Sequence, residues 1–270
     1  LGDRWRGLQY RGIEGYIMFF VPPRRKELRV ALPMSTFTVN SGIQQLTQKI
    51  GSITRTLAIF RVTDLLLIED VKDEGLKEVI SGVTEYMLFP PYLKRSIPRK
   101  AVLRKVGVLP PLDLPLHPRR KELVEGEIRR AGLKKGKTEL GVDVEIKGGD
   151  KYFIITDSLS KKAFPYRGPL PYLGFNLKFV REEWIKGVKN LIIGSRSGKD
   201  PMDDIKSLRE LYEKSGITLL IGPPRGGLMR SLGGNFLSKA YNFIPNQGVA
   251  NIRSEEALFS ALAILNMILG

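Results

Sequence analysis

The chain predicts an α/β fold with a parallel sheet, interrupted by a small antiparallel barrel. Three observations predict it. Short apolar runs alternate with amphipathic helical stretches toward both ends of the chain. Between Glu122 and about Ile155 the hydrophobic period switches to two, with glycine at every turn. In the C-terminal third, three apolar runs each stop at a Gly- or Pro-rich segment: LIIGSRSGKD at 191–200, TLLIGPPRGGL at 218–228 and FIPNQGVANIRSEEA at 243–257.

Residues 1–26 are basic and glycine-rich, with Arg4, Arg6, Arg11, Arg24, Arg25 and Lys26 around Tyr16, Phe19 and Phe20, and read as an extension that acts as a nucleic-acid arm. Leu28, Val30 and Leu32 then alternate with Arg29 and Ala31 as a first strand ending at Pro33. Over 41–60, Ile43, Leu46, Ile50, Ile53 and Leu57 recur at helical spacing on one stripe. Arg55 stands roughly 200° around the helix from Ile53, away from that stripe, with Gly51 leaving room on its side. Leu65 to Ile68 make a second, fully apolar strand. The next helix turns Leu76, Val79, Ile80, Val83 and Met87 inward and stops at Pro90-Pro91. Strand, helix, strand, helix implies parallel pairing.

The stretch 92–120 opens with Lys94, Arg95, Arg99, Lys100, Arg104 and Lys105, a face suited to phosphates, and runs into GVLPPLDLPLHP, whose prolines predict an extended, semi-rigid connector or lip. Val142, Val144 and Ile146, with turns at Gly126, Gly132, Gly136 and Gly148-Gly149, predict the barrel strands; Arg129, Arg130, Lys134, Lys135 and Lys137 give them a basic character. Phe175, Leu177 and Phe179 lead the chain back. A strand at 190–193, a turn from Gly194 to Gly198, a helix from about Pro201 closed by Gly216, and a strand at 217–221 follow. Ser254 is the expected N-cap of the last helix, with Glu255 and Glu256 in its first turn. That helix is apolar on most sides and needs cover all round, part of it from a second subunit. The domain reading is therefore an extension at 1–26, an α/β domain from 27–117 and 175–270, and an inserted barrel at 118–174.

Composition narrows the chemistry. Lysine and arginine number 44 against 28 acids, a formal net charge of +16, which favours a polyanionic partner and nucleic acid over an anionic membrane. There is no cysteine and one histidine, His117, so disulfides, thiolate zinc, a Cys nucleophile and a multi-histidine metal site are excluded. No uncharged apolar run approaches the roughly 20 residues of a membrane span, and the start lacks an apolar signal core, so a cytoplasmic protein is expected. The three C-terminal segments are neither a GxxxxGK[ST] cradle nor a GxGxxG fingerprint. Strands that stop at glycine leave main-chain groups free at their carboxyl ends, which suits a nucleoside-like ligand; spacing alone also allows ordinary βα turns.

Four segments together, ITRTLAIFRV at 53–62, KVGVLPPLDLPLHP at 105–118, IGPPRGGL at 221–228 and IPNQGVANIRSEEALFSALAILNM at 244–267, resemble the SPOUT superfamily of RNA methyltransferases. The nearest likeness is to its archaeal and eukaryotic branch, in which an OB-like barrel interrupts the methyltransferase domain. The resemblance implies an alpha/beta knot domain with a deep C-terminal trefoil knot, a homodimer with its active site near the subunit interface, and S-adenosylmethionine bound among the three C-terminal loops. Carried over, it assigns Gly194 and Ser195 to the first wall of the donor pocket and Gly222, Pro223 and Gly226 to the second. Ile244, Pro245, Gln247, Gly248 and Val249 would hold the adenine, with Ile252 as a further apolar wall.

Arg55 falls where related ribose methyltransferases keep a catalytic arginine. Those relatives place an asparagine one to two turns earlier, where this chain has Gln48 and Lys49, so a base such as uridine N3 and a ribose 2′-oxygen both stay open as acceptors. His117 is open as an assisting base or as a core residue. Lys94, Arg95, Arg99, Arg104, Lys105, Arg129 and Arg130 are the expected RNA contacts, with ribosomal RNA the expected substrate. A non-catalytic ribosome-assembly factor and a protein methyltransferase are the competing functions.

Overall fold

The computed structural model describes residues 9–11, 17–38, 42–118, 123–134, 137–146, 149–222 and 234–270. The chain forms two compact units: residues 24–84, 102–110 and 174–270 make one, and residues 1–23, 85–101 and 111–173 the other. The division differs from the expected domain boundaries by grouping 85–101 and 111–117 with the small strands.

The larger unit is built on a six-stranded sheet. Its strands are β3 (Leu28–Pro33), β4 (Asp64–Ile68), β11 (Asn176–Val180), β12 (Leu191–Lys199), β13 (Ile217–Ile221) and β14 (Ala240–Tyr241). They lie in the order β11-β4-β3-β13-β12-β14, and every adjacent pair is parallel. Strands β4 and β13 are buried at every position, as expected where helices cover both faces of a parallel sheet. One face packs Ala31, Leu66, Ile68, Leu191, Ile193 and Leu220 against Ile185 of α3 (Glu182–Lys186) and Val188. At the far edge, half-exposed β11 carries Lys178, whose Nζ lies 2.6 Å from buried Asp64; a charged residue on an edge strand discourages pairing with another chain.

Helix α1 (Ile43–Ile59) buries Ile50, Ile53 and Leu57 of the predicted stripe, while Ile43 and Leu46 are half-buried. Helix α2 (Glu74–Leu88) ends just before Pro90. Helix α4 (Ile205–Ser215) closes on Gly216, whose φ of 71° and whose Cβ position, against the Glu27 carbonyl, exclude a side chain. The last helix, α5 (Ser254–Leu269), packs on α1, α4 and β13 through a face that includes Leu258, Ala261, Leu262 and Leu265.

Three expectations for this unit need correction. Gly194 to Gly198 do not form a turn: β12 runs through them to Lys199 and reaches β14 by a register shift between Gly194 and Lys199. Gly198 permits this, because a Cβ there would strike the backbone of Ala240 and Tyr241. The N-cap of α5 is Arg253, whose amide donates to Glu256 Oε2 at 2.9 Å, while Ser254 is buried as the first helical residue. Arg24 is not part of a solvated arm. It is buried, donating through Nε to the Phe60 carbonyl at the end of α1 (3.0 Å) and through Nη2 to Asn266 Oδ1 (2.6 Å), where a cation complements helix-end carbonyls. The knot is not established by the strand order, and residues 223–233, which follow β13, lie outside the described residues.

The smaller unit holds hairpin β1 (Gln9–Arg11) with β2 (Ile17–Phe19) and hairpin β6 (Gly132–Lys134) with β7 (Lys137–Glu139). It also holds a four-stranded sheet in the order β5-β9-β10-β8, from β5 (Ile128–Arg130), β8 (Glu145–Ile146), β9 (Tyr152–Asp157) and β10 (Lys162–Pro165). β8 runs parallel to β10, which corrects the expected all-antiparallel pairing, and closure into a barrel is not established by the described pairings. Val142 and Val144 precede the short β8 and pack, half-buried, on the core of Leu140, Phe153, Ile155 and Ala163.

The proline-rich stretch is no lip either. Tight 3-10 turns at 91–96 and 101–103 precede it, a third at 106–108 opens it, and Leu114, Leu116 and His117 are buried. His117 Nε2 donates to the Leu88 carbonyl at 3.2 Å, and burial lowers the imidazole pKa to about 4. Between about pH 6.5 and pH 4 the unfolded chain therefore takes up a proton that the folded chain refuses. Stability should fall across that window as pH drops, by on the order of 3 kcal/mol. Urea titrations of the native chain and of His117→Leu at pH 7 and pH 4.5 check this: the variant is expected to lose markedly less stability in acid.

Candidate functional site

Strands β13, β12 and β14 are neighbours and run the same way, so their carboxyl ends emerge side by side at one edge of the sheet. In this arrangement Gly194 lies opposite Ile221 on one side and Tyr241 on the other. The three segments singled out in the sequence thus leave from adjacent strands, the geometry in which open α/β sheets bind ligands.

Two of the three are tied directly together. Arg196 Nη1 donates to the Ala250 carbonyl at 3.1 Å, Asn242 Nδ2 to the Arg196 carbonyl at 3.2 Å, and the Asn242 amide to the Lys199 carbonyl at 2.8 Å. The last segment shapes itself. Asn242 Oδ1 accepts from the Ile244 amide at 3.0 Å, Asn246 takes a left-handed φ of 56°, which asparagine tolerates, and Gln247 Nε2 donates to the carbonyls of Val249 (2.7 Å) and Ala250 (3.2 Å). Ser195 Oγ receives the Ser197 amide at 3.3 Å. Of the expected donor-pocket residues, Gly194, Ser195, Gly222, Ile244, Gln247 and Ile252 are half-buried and Pro245, Gly248 and Val249 exposed. Among the described residues, a Cβ added at Gly222 or Gly248 would meet nothing within 4 Å, so the main chain is open to an incoming group at both. Pro223 and Gly226 lie outside the described residues.

A polar cluster beneath these segments was not singled out in the sequence. Asp204 Oδ2 receives Lys199 Nζ at 2.5 Å and the Tyr241 hydroxyl at 2.6 Å, and Lys199 Nζ stands 4.8 Å from the Tyr241 ring. The hydrogen bond from Lys199, then that from Tyr241, lowers the Asp204 carboxyl to about 2; Lys199 is raised by the same bond, and Tyr241 is raised by burial and then by Asp204. The three groups clamp the end of β12 to β14 and to the start of α4. Asp204 reads in sequence as one of two acids at a helix start, and nothing there shows that it reaches 37 residues forward to Tyr241.

Arg55 is half-buried on α1 and engaged with neighbours. Its helix is joined to the beginning of α5 by Lys49 Nζ and Glu255 Oε2, 3.3 Å apart. Gln48 is exposed. The expected RNA contacts fare unevenly. Arg95, Arg99, Arg104 and Lys105 are exposed. Lys94 is folded over the Tyr86 ring at 4.2 Å, and burial lowers its pKa. Arg130 is half-buried with its guanidinium 5.1 Å from the Phe89 ring. Arg129 must be withdrawn as an RNA contact: it is 0% exposed, paired with Glu127, and donates to the Leu140 carbonyl at 3.1 Å. A buried cation is held by such partners because leaving it unpaired would be costly.

Residues 27–151 match a protein family described as "Putative RNA methyltransferase". An uncharacterized protein of Haloarcula marismortui is 27% identical, over 88% of this chain and 98% of its own length. Another, from Halobacterium salinarum, is 22% identical over 88% of this chain and 98% of its own. Among solved structures, the SpoU methyltransferase AviRb from Streptomyces viridochromogenes, determined with the cofactor AdoMet, aligns at 12% identity with a TM-score of 0.36. That alignment covers 90% of this chain, which spans 60% of the AviRb chain.

The backbone contact at Gly198 is the most sharply testable feature of the site. Gly198→Ala should cost on the order of 3 kcal/mol, because the group in the way is main chain. Gly248→Ala, with open space around it, should stay within about 0.5 kcal/mol. Denaturant titration of both variants measures the difference.

Proposed function

We propose that this chain, whose residues 27–151 match a family described as "Putative RNA methyltransferase", is an S-adenosylmethionine-dependent enzyme of the SPOUT type that methylates a base of ribosomal RNA, such as uridine N3. The observation that carries the proposal is the convergence of the ends of β12, β13 and β14, with the first and last segments tied by Arg196 and Asn242. In this reading the adenosine half of the donor lies against Gly194, Ser195 and Gly222, between main-chain groups of 244–249 and the apolar side chains of Ile244, Val249 and Ile252. Pro223, Gly226, Pro245, Gln247 and Gly248 complete the pocket.

Bound there, the donor supplies an activated methyl group. Methyl transfer from a sulfonium is an in-line displacement that needs its acceptor held close and, for a base nitrogen, deprotonated. Arg55 is the residue assigned to that task, favouring the ionised acceptor or anchoring the adjoining phosphate. Exposed Arg95, Arg99, Arg104 and Lys105 would meet RNA phosphates, with Lys94 and Arg130 held in place beside aromatic rings. A net charge of +16 supports a polyanionic substrate. The reading also carries a C-terminal trefoil knot, an OB-type insert and a homodimer. The dimer is supported by the outer face of α5, where Phe259 is 46% and Met267 82% exposed, with the ring of Phe60, the residue after α1, 5.3 Å from the Phe259 ring.

Labelled S-adenosylmethionine incubated with the chain and deproteinised rRNA should transfer label to the RNA; label in ribosomal protein instead, or none despite donor binding, would reject the assignment. Arg55→Ala should lower turnover by at least about 100-fold, read by single-turnover kinetics alongside RNA binding, and unchanged turnover with unchanged binding would remove Arg55 from the mechanism. Met267→Asp should shift the native mass measured by sedimentation from dimer to monomer, and an unchanged mass would place the subunit contact elsewhere.

A further inference from the structure

We propose that Arg196 takes the carboxylate of the donor's amino-acid half, so that the pocket selects a donor that carries one. The inference rests on the S-adenosylmethionine reading above. That donor joins an adenosine half to a methionine half bearing a carboxylate, an ammonium and a sulfonium. A carboxylate drawn out of water needs a cation or hydrogen-bond donors to meet it, because burying an unpaired charge is costly. The residues assigned to the pocket supply no charge: all are neutral, from Gly194 and Ser195 to Gln247 and Ile252.

Among the described residues of the three segments, the cations are Arg196, Lys199 and Arg253. Lys199 is engaged by Asp204, 2.5 Å away. Arg253 caps α5 beside Glu256, whose Oε2 accepts its amide. Arg196 is exposed and, among the described residues, has no acid partner. It is held by main chain instead, so its charge stays available to a ligand.

The position of that charge is set from both ends of the residue. The Arg196 carbonyl accepts from Asn242 Nδ2 at 3.2 Å, and its Nη1 donates to the Ala250 carbonyl at 3.1 Å. Gln247 Nε2 donates to the same Ala250 carbonyl at 3.2 Å, so the guanidinium rests on the turn expected to hold the adenine. Among the described residues Nε and Nη2 meet no acceptor, which leaves one edge of the fork for a carboxylate to engage through parallel hydrogen bonds. An RNA phosphate offers similar oxygens. The donor is favoured because this head group lies on the donor's own turn, while exposed Arg95, Arg99 and Arg104 are there for phosphates.

The test is calorimetry of the full chain with S-adenosylmethionine and with its decarboxylated form, which keeps the adenosine, the sulfonium and the ammonium and lacks only the carboxylate. The native chain should prefer the carboxylated donor by about 10- to 100-fold, the range of a hydrogen bond to a charged group. Arg196→Ala should erase most of that preference and Arg196→Lys should keep part of it, whereas Arg253→Ala should leave it intact. Loss of the tie to Ala250 would by itself weaken both compounds by the same factor, so the ratio of the two affinities separates recognition of the carboxylate from a structural role. An unchanged ratio in Arg196→Ala, or an equal collapse in Arg253→Ala, overturns the assignment. So does a loss of RNA affinity and of its salt dependence in Arg196→Ala with the ratio intact, which would put the guanidinium on an RNA phosphate. A native chain that binds neither compound overturns the donor pocket as well, whereas one that binds both without preference overturns only the role of Arg196.

Discussion

The close approach of two backbones at Gly198 and Tyr241 is the constraint on which the candidate site depends. It lets β12 continue past the point where a shorter strand would have stopped, so that its last residues pair with β14 after a register shift. Without that approach, Arg196 would not face Ala250, Asn242 would not reach the Arg196 carbonyl, and the first and last segments would leave the sheet independently. A glycine is needed because the atoms opposite are main chain, which cannot rotate away as a side-chain tip can. Gly194 differs: the nearest atom to its Cβ position is the end of the Ile221 side chain.

The buried strands beneath the site supply its rigidity. Strands β4 and β13 are apolar and covered throughout, and such burial is worth about 25 cal/mol for each Å² removed from water. The cluster of Asp204, Lys199 and Tyr241 adds direction more than energy. Lys199 is about half exposed, where an ion pair contributes little, but its bond and the one from Tyr241 converge on one carboxylate oxygen and fix where β12 ends. The site is thus main chain held in place by a stiff sheet and a polar clamp, which suits recognition of a nucleoside by backbone groups.

The smaller unit follows a different logic. One cluster of its core is Leu140, Phe153, Ile155 and Ala163, and buried Arg129, with Glu127 and the Leu140 carbonyl as partners, occupies a position where a larger domain would place an apolar residue. The Tyr92 ring lies 5.2 Å from that guanidinium, while its hydroxyl accepts from the Arg130 amide and donates to the Arg130 carbonyl. Burial raises the Tyr92 phenol above its ordinary range, which keeps it protonated as a donor. One of the arginines expected to meet RNA, Arg129, is therefore a structural one.

The sequence by itself determined the elements whose pattern is local. The stripe of Ile50, Ile53 and Leu57, the apolar runs of β4 and β13 and the stop at Gly216 follow from periodicity and from glycine's freedom at positive φ. All of these need only nearest neighbours along the chain. Tertiary structure alone decided which strands became neighbours, that Gly194 to Gly198 are strand and not turn, that Arg24 and Arg129 are buried, and that Asp204 meets Tyr241. Each of these depends on a partner many residues away, so composition and spacing carried no trace of it. An arginine in a basic run looks the same whether it ends in water or against a carbonyl, and the fold chooses by what it brings within hydrogen-bond reach.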